Sequence, residues 1–356
     1  MSDIQIHATN INGLGAIQVV KSFLDAFEDF EEYRESEVYV SDKGELSKYE
    51  SSFLNIKVYR RILPKALSRV FESVFSFFLF KNVPTIVLGD IPLRGIKEQV
   101  VLVHYPYMAY PRVNKFSSKS LSARVVRFLF SANLKYTKTI IVQTGAMAND
   151  LIESYPEIKN KLVICPQPAP NWLKTHQKTN KIKVSSKKHL FYPATYSPYK
   201  NHDFLLKLND YVIKNNINIS NIEIQLTLRE KEFEKYKSIN FVKNLGRLNT
   251  DEMNFQYEKA DALLFMSSIE TYGLPIVESL TINLPILIAD FNYSRWICND
   301  KAYYFQHNSE ESFFKTLNRL LNDLNVGKVM DYSNVLKKFP VSWDTVVDVF
   351  IKQLTK

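Results

Sequence analysis

Short runs of apolar residues alternate with amphipathic stretches of helical period along most of the chain. Each run has the length of a strand and is followed by a turn and then by apolar residues three or four positions apart. The first run is followed by a loop at residues 10–15 and by a predicted helix from about Ala16 to Phe27. Because strands that alternate with helices form parallel sheets, the pattern predicts an α/β protein. The predicted strands are residues 4–8, 85–88, 99–104, 139–143, 189–193, 222–226, 262–266 and 285–288.

The chain of 356 residues is long enough for two domains with separate cores. A proline-rich stretch at residues 166–170 precedes a segment rich in lysine and asparagine, which is typical of a linker. A capped helix is predicted to start near Ser342. We therefore predict an N-terminal domain, a linker, a second α/β domain and a C-terminal helix, at residues 1–168, 169–188, 189–338 and 339–356.

The residues that follow the predicted strand at 262–266 combine a tight turn, a helix start and two carboxylates. Glu270 lies in the predicted loop, and Glu278 lies about one turn into the following helix. Gly273 falls where the chain must turn, and Pro275 falls in the first helical turn, where proline is favoured. Ligands bind outside the carboxyl ends of strands in open α/β sheets, so both glutamates are candidate ligand-binding residues. The alternative is an ordinary strand–helix corner with two solvated glutamates.

The spacing Glu270-x7-Glu278, with Gly-Leu-Pro inside it, resembles the Glu-x7-Glu signature of retaining nucleotide-sugar glycosyltransferases of family 4. The resemblance is good from about Leu190 to Leu280 and looser over the rest of the chain. It implies the GT-B fold, in which two Rossmann-like domains with parallel sheets face an interdomain cleft. It also implies that the final helix returns to the N-terminal domain. Such enzymes use no divalent ion at the diphosphate and no protein nucleophile, so neither a metal nor another cofactor is expected.

The resemblance also implies how the donor is held. Glu270 is expected to accept hydrogen bonds from the hydroxyls of the donor sugar, and Glu278 from the hydroxyls of the ribose. The backbone N–H groups of Tyr272, Gly273 and Leu274 are expected to hold the sugar and the phosphate.

Three more positions match the family pattern. Lys200 corresponds to a cation that binds the diphosphate, and His104 corresponds to a histidine that touches the donor sugar near the reacting carbon. Gly15 lies in a Gly-x-Gly turn between a strand and a helix, where backbone N–H groups predict an anion site. By resemblance, this loop contacts donor phosphate or acceptor. Taken alone, a structural histidine, a surface lysine and a plain tight turn are the alternatives.

The chain departs from the family pattern at Thr195. Family members present an arginine five residues before the phosphate-binding lysine, and a hydroxyl replaces only part of a bidentate guanidinium contact. Arg247 is a candidate to supply the missing charge, although in the family its loop lies near the nucleotide base.

The charge of the chain is unevenly placed. The net charge is +9, and residues 99–149 contain no Asp or Glu. Two amphipathic stretches, at residues 67–78 and 121–132, have phenylalanine on their apolar faces and basic residues at the edges. Both faces either pack on a sheet or form an interfacial surface for anionic lipid. The basic residues of the acid-free window are Arg112, Lys115, Lys119, Arg124, Arg127, Lys135 and Lys138.

Several classes of protein are not favoured by the sequence. The N-terminus has no basic segment followed by an apolar stretch, so no secretory signal is expected. No apolar window approaches the roughly 20 residues of a membrane span. Cys165 and Cys298 are far apart, which favours a reducing cytoplasm. No His/Cys cluster has metal-ligand spacing and no motif reads bases, so we expect neither a metal nor a nucleic acid.

The expected activity is that of a metal-independent, retaining glycosyltransferase. It moves a hexose-type sugar from a nucleotide-diphosphate donor to an oligosaccharide acceptor. The basic, aromatic face favours a lipid-diphosphate-linked acceptor, as in bacterial O-antigen, capsule or lipopolysaccharide synthesis, at the inner face of the cytoplasmic membrane. The alternatives are another GT-B nucleotide-sugar enzyme with a soluble acceptor, and a non-catalytic relative that binds glycan or nucleotide.

Overall fold

The chain divides into two compact units. The first unit combines Met1–Pro168 with Phe339–Lys356, and the second is Ala169–Lys338. The computed structural model describes residues 4–11, 13–61, 65–109, 120–173 and 187–356.

Some positions used in the sequence predictions lie outside the described residues. They are Asn12 of the glycine loop, most of the predicted linker, and Arg112, Lys115 and Lys119 of the basic window.

The first unit is built on a seven-stranded parallel sheet with the order β3-β2-β1-β4-β5-β6-β7. The strand order reverses between β1 and β4, so the carboxyl ends of these two neighbours mark a topological switch point. The strands are β1 (Gln5–Ala8), β2 (Glu37–Ser41), β3 (Asn55–Tyr59), β4 (Thr85–Val87), β5 (Gln99–Leu102), β6 (Thr139–Val142) and β7 (Leu162–Ile164). The helices of this unit are α1 (Leu14–Phe27), α2 (Lys65–Leu79), α3 (Pro106–Ala109), α4 (Ser120–Asn133) and α5 (Gly145–Ser154).

The second unit is built on a six-stranded parallel sheet with the order β10-β9-β8-β11-β12-β13. Here the order reverses between β8 and β11. The strands are β8 (Lys188–Tyr192), β9 (Ile222–Leu226), β10 (Val242–Asn244), β11 (Ala262–Phe265), β12 (Ile286–Ala289) and β13 (Tyr303–Phe305). The helices are α6 (Phe204–Lys214), α7 (Glu230–Phe233), α8 (Thr250–Lys259), α9 (Leu274–Thr281), α10 (Asn292–Cys298), α11 (Glu310–Asn325) and α12 (Ser333–Leu336).

The last helix, α13 (Trp343–Thr355), belongs to the first unit, where it packs against α1, β4 and β5. Its Phe350 ring meets the Phe23 ring of α1 edge to face, with the centroids 5.0 Å apart. Ser342 is the N-cap residue, but its side chain makes no capping hydrogen bond. The apolar stripe of this helix therefore fixes its position.

The predicted α/β architecture with two parallel sheets is confirmed. The strands that the sequence did not predict are β2, β3, β7, β10 and β13. Of these, β3, β7 and β10 lie at or near sheet edges and are only partly buried, so they lack the apolar runs of central strands. The predicted start of the first helix at Ala16 was wrong. The Gly13 carbonyl already accepts a hydrogen bond from Ile17 N at 2.9 Å, so the helix begins at Leu14 and includes Gly15 in its first turn.

Within the described residues, no helix has the length and apolar character needed to span a membrane. Both cysteines, Cys165 and Cys298, are buried and free.

Candidate active site

The second unit brings two loops together at the switch point of its sheet. β8 and β11 are hydrogen-bonded neighbours, with Leu190 opposite Ala262 and Phe191 opposite Leu263. β11 is fully buried because its four residues are apolar on both faces. The loops that follow these two strands therefore leave the sheet side by side at its carboxyl edge, where open α/β sheets bind ligands.

Lys200 and Glu270, one from each loop, form an ion pair between Lys200 Nζ and Glu270 Oε1. Their side chains are only 15% and 9% exposed. The ammonium group also lies 5.4 Å from the ring centroid of Tyr199 and 5.5 Å from that of Phe265. The cation is thus held against two aromatic faces and one carboxylate, so its position is well defined.

Hydrogen bonds tie the two loops to each other beside this pair. Ser268 N donates to the Tyr199 carbonyl at 2.8 Å, and the Tyr192 hydroxyl donates to the Lys200 carbonyl. His202 is buried against the Tyr192 ring, and burial, followed by the Lys200 charge, lowers the pKa of this histidine to about 3. The His202 ring is therefore neutral at physiological pH, and the positive charge beside it lies on the Lys200 ammonium group.

The turn that follows Glu270 needs a glycine. Gly273 has a φ of +82°, and a Cβ at this position would stand 2.9 Å from Ile276 Cδ1. It caps α9, whose first residues are Leu274 and Pro275. The first backbone N–H groups of a helix lack partners within the helix and carry the positive end of its dipole. Tyr272, Gly273 and Leu274 therefore lie where an anion is favoured.

Glu278 lies in the second turn of α9, as predicted, and is only 4% exposed. The hydroxyl of Tyr257, on α8, donates a hydrogen bond to Glu278 Oε2. Burial raises the pKa of Glu278 to about 7, and the Tyr257 hydrogen bond acts in the opposite direction. Because Glu270 is also buried, at 7% exposure, the alternative of two solvated glutamates is contradicted.

We expect Glu278→Gln to become more stable relative to the wild type as the pH rises from 5 to 8. The pKa of Glu278 is about 7 in the folded state and 4.5 in the reference state, so the folded protein keeps this proton to higher pH. Stability from a raised acid pKa is complete below about pH 4.5 and is lost progressively up to about pH 7. The loss amounts to about 3 kcal/mol. Urea unfolding of both proteins across this pH range measures it, and a constant difference contradicts the expectation.

The other two predicted donor contacts have different surroundings. Thr195 is half-buried in the loop after β8. The guanidinium of Arg247 pairs with Glu232 of α7 at 3.6 Å, and burial lowers its pKa. A cation that sequence reasoning missed, Lys235, donates to the Tyr196 hydroxyl at 3.0 Å, next to Thr195 in sequence. Lys235 follows β9, on the other side of β8 from Glu270, and no sequence motif marked it.

The first unit holds the two remaining predicted residues. His104 follows β5 near the switch point, and its backbone N–H donates to Asp90 Oδ1 at 2.7 Å. His104 Nε2 lies 3.6 Å from Asp90 Oδ2. Gly15 is exposed in the first turn of α1, whose N-cap, Gly13, offers no side-chain cap. The N–H groups of that turn are therefore available to a ligand.

The second unit offers a cation from the loop after β8, and helix N–H groups and two buried carboxylates from the segment after β11. Cations and helix N-termini bind phosphate, and carboxylates accept hydrogen bonds from sugar hydroxyls. No group of three or more His, Cys, Asp or Glu side chains is placed to hold a metal ion within the described ranges. The arrangement suits a ligand that has both phosphate and hydroxyl groups.

Comparison with known proteins finds a family model that is similar to the second unit. Residues 173–334 match the family model described as glycosyl transferases group 1. The match lies within the second unit and covers just under half of the chain. The Glu270 and Glu278 region and the Lys200 loop both lie inside the matched range, which therefore contains the whole of the candidate site in this unit.

The sequence relatives of the chain are distant. It is 20% identical over 322 residues to a probable sucrose-phosphate synthase of Thermosipho melanesiensis, covering 82% of this chain and 74% of the relative. It is 21% identical over 193 residues to the O-antigen chain mannosyltransferase RfbU of Salmonella typhimurium, covering 52% of each chain. The chain thus spans about half the length of the second relative.

A solved structure confirms the fold of the chain. HepE of Anabaena, in a complex with UDP-glucose, is similar over 100% of both chains with a TM-score of 0.73 and 14% identity. At that identity the similarity shows the fold alone. The chain has the GT-B fold that the sequence predicted.

Proposed function

We propose that the protein is a retaining glycosyltransferase that takes a hexose-type sugar from a nucleotide-diphosphate donor without a metal ion. The observation that carries this proposal is the Lys200–Glu270 pair next to the N-terminus of α9. Charge that develops on the leaving diphosphate meets the ammonium and the helix N–H groups, while the carboxylate accepts from the sugar hydroxyls. Glu278 accepts from the ribose hydroxyls in the same proposal.

Two residues of the first unit have proposed roles of their own. His104, whose backbone is fixed by Asp90, contacts the donor sugar near the reacting carbon. The N–H groups around Gly15 contact donor phosphate or acceptor. No protein nucleophile is proposed, because Glu270 is engaged by the Lys200 cation and a paired carboxylate is a weaker nucleophile.

Donor sugars test the proposal directly. We expect one of UDP-, GDP-, dTDP- or ADP-hexose to raise the melting temperature by several degrees, since a ligand at 100 times its Kd stabilises a fold by about 2.7 kcal/mol. The same donor should release nucleoside diphosphate when acceptor is added, and proton NMR of the product should show the donor's anomeric configuration. The absence of any shift and any turnover contradicts the proposal. A shift without turnover favours a non-catalytic relative.

The proposed acceptor is a lipid-diphosphate-linked oligosaccharide of bacterial surface polysaccharide synthesis. The name of the Salmonella relative, an O-antigen mannosyltransferase, supports this class. The surface of α2 and α4 supports it independently. Val70 and Val74 of α2 pack on the core of the first unit, but Phe71 is 40% exposed, Phe78 77% and Phe128 of α4 71%.

Basic residues border these exposed rings. Arg124 is exposed on α4, four residues before Phe128. Lys81 follows α2 with its side chain 59% exposed and pairs with Glu37 at 3.0 Å. Packing on the core thus accounts for only part of each amphipathic stretch, because each helix packs one apolar stripe and exposes an aromatic side chain beside it. Exposed aromatic residues with cations at their edge suit an anionic bilayer surface, and we propose that the protein binds the cytoplasmic membrane there.

We expect the protein to float with vesicles that contain phosphatidylglycerol at low salt. Phe78→Ser should lower the fraction bound by about tenfold, because burying a phenylalanine is worth about 1.5–3 kcal/mol. Ile213→Ser is the matched control, since Ile213 is 67% exposed on α6 of the other unit. Equal binding by wild type and Phe78→Ser contradicts the proposed surface, as does a lack of binding to anionic vesicles.

A soluble acceptor is the second candidate, and one observation favours it. The relative that aligns with 82% of the chain is named a probable sucrose-phosphate synthase, an activity with a soluble acceptor. The two candidates are separated by measuring turnover with one donor and two kinds of acceptor, a sugar phosphate and a lipid-linked oligosaccharide.

A further inference from the structure

Tyr257 is a buried residue of α8 that none of the family motifs includes. It is 1% exposed, and its ring meets Phe191 of β8 edge to face with the centroids 5.3 Å apart. Its hydroxyl donates to Glu278 Oε2. The ring is thus fixed by the sheet, so its hydroxyl presents one constant direction to the carboxylate.

The charge state of Glu278 is set by few groups. No other residue of α9 is charged, and the neighbouring β11 and α12 are uncharged. Two further elements contact α9. α10 carries Arg295, which is paired with Asp290. α8 brings the Tyr257 hydroxyl to Glu278, and its charged residues are Asp251, Glu252, Glu258 and Lys259. Burial raises the pKa of Glu278, and the hydrogen bond from Tyr257 lowers it. Among the described residues, Tyr257 is therefore the group whose hydrogen bond favours the ionised form of this carboxyl.

We propose that Tyr257 is a positioning residue that holds Glu278 as an ionised acceptor for the vicinal diol of the donor ribose. This inference rests on the proposed function, in which Glu278 contacts the ribose. An ionised carboxylate offers about four acceptor sites on two oxygens. Tyr257 takes one site on Oε2 and fixes the rotation of the group, which leaves Oε1 to the diol. A protonated carboxyl would lose acceptor sites and bind the diol less well.

The experiment compares nucleotides with and without the diol at several pH values. UDP, GDP and ADP and their 2′,3′-dideoxy counterparts are titrated calorimetrically into the full-length protein between pH 6 and 9. The wild type should prefer the ribonucleotide by at least about tenfold at pH 8, and the preference should fall as the pH drops through about 7. In Tyr257→Phe the midpoint of this fall should move up by about one pH unit, because a hydrogen bond to a charged group is worth about 1.5 kcal/mol or more.

Two variants serve as controls. Glu278→Gln should show little preference for the ribonucleotide and no midpoint in this range, with or without Tyr257→Phe. Tyr303→Phe removes another tyrosine–carboxylate hydrogen bond of the same unit, to Asp323, and should leave the midpoint where it is in the wild type.

The outcomes distinguish the inference from the function on which it rests. If the wild type binds none of the three ribonucleotides, or binds them no better than their dideoxy forms, the proposed ribose contact of Glu278 is wrong. If the wild type does discriminate but Tyr257→Phe leaves the midpoint unchanged, the positioning role is wrong. A uniform weakening at every pH shows a merely structural tyrosine and also overturns the inference.

Discussion

Glu270→Gln is expected to lower the turnover number for sugar transfer by about 10²–10³-fold, the usual cost of removing one group that stabilises a transition state. The amide has the shape of the carboxylate but no charge, so it accepts more weakly from the sugar hydroxyls and no longer balances Lys200. Both side chains are largely buried, and the loss of a charged partner should also cost about 1–3 kcal/mol of stability. Steady-state release of nucleoside diphosphate measures the first effect, and urea unfolding measures the second.

Glu230→Gln is the matched control for this substitution. Glu230 is in the same unit, and its side chain is 69% exposed in a surface pair with Lys237. We expect wild-type turnover and stability for it, since exposed ion pairs contribute little. Unchanged donor turnover in Glu270→Gln would show that the carboxylate has no part in the reaction and that the site is wrongly assigned.

Lys200→Met is expected to weaken the binding of nucleoside diphosphate by about 10–100-fold, since a charge-assisted hydrogen bond is worth about 1.5–3 kcal/mol. The free nucleoside has no phosphate for the ammonium to bind, so its affinity should change little. Lys200→Arg keeps the charge and should recover part of the lost affinity, although its planar group does not match the contacts of an ammonium with two rings. Calorimetric titration with nucleoside and nucleoside diphosphate gives both comparisons.

The control for the lysine is Lys214→Met, because Lys214 is exposed at the end of α6 in the same unit. It should bind both ligands as the wild type does. An equal loss of affinity for nucleoside and nucleoside diphosphate in Lys200→Met contradicts a phosphate contact, since that result indicates general damage to the site.

Local sequence was sufficient for the strand–turn–helix element around Gly273. An apolar run, a glycine and a proline at the helix start have strong local preferences, so β11, the turn and α9 follow from neighbouring residues. Glu278 falls in the second turn of that helix because the helical repeat alone determines its position. Gly273 was expected because the chain must turn tightly there, and its positive φ agrees with that expectation.

Contacts between distant segments were not predictable in the same way. Lys200 and Glu270 are 70 residues apart in sequence. They meet because β8, which also pairs with β9, pairs with β11 on its other edge. Tyr257 reaches Glu278 only through the packing of two helices, and a tyrosine within a polar helix gives no sign of this. The partial burial of α2 was also unpredictable. Its packed valines and its exposed phenylalanines recur with the same helical spacing, so the sequence pattern does not distinguish them.

The pairing of Lys200 with Glu270 has a consequence for which molecules the protein selects. The two charges cancel in the ion pair. An inorganic phosphate that binds Lys200 therefore leaves the buried Glu270 carboxylate without a partner, and a free sugar that binds Glu270 leaves the Lys200 ammonium without one. A molecule that carries phosphate and hydroxyl groups on one skeleton replaces both partners at once and leaves neither charge alone. We therefore expect weak binding of metabolites that carry only a phosphate or only sugar hydroxyls, and tight binding of compounds in which a sugar and a diphosphate are joined.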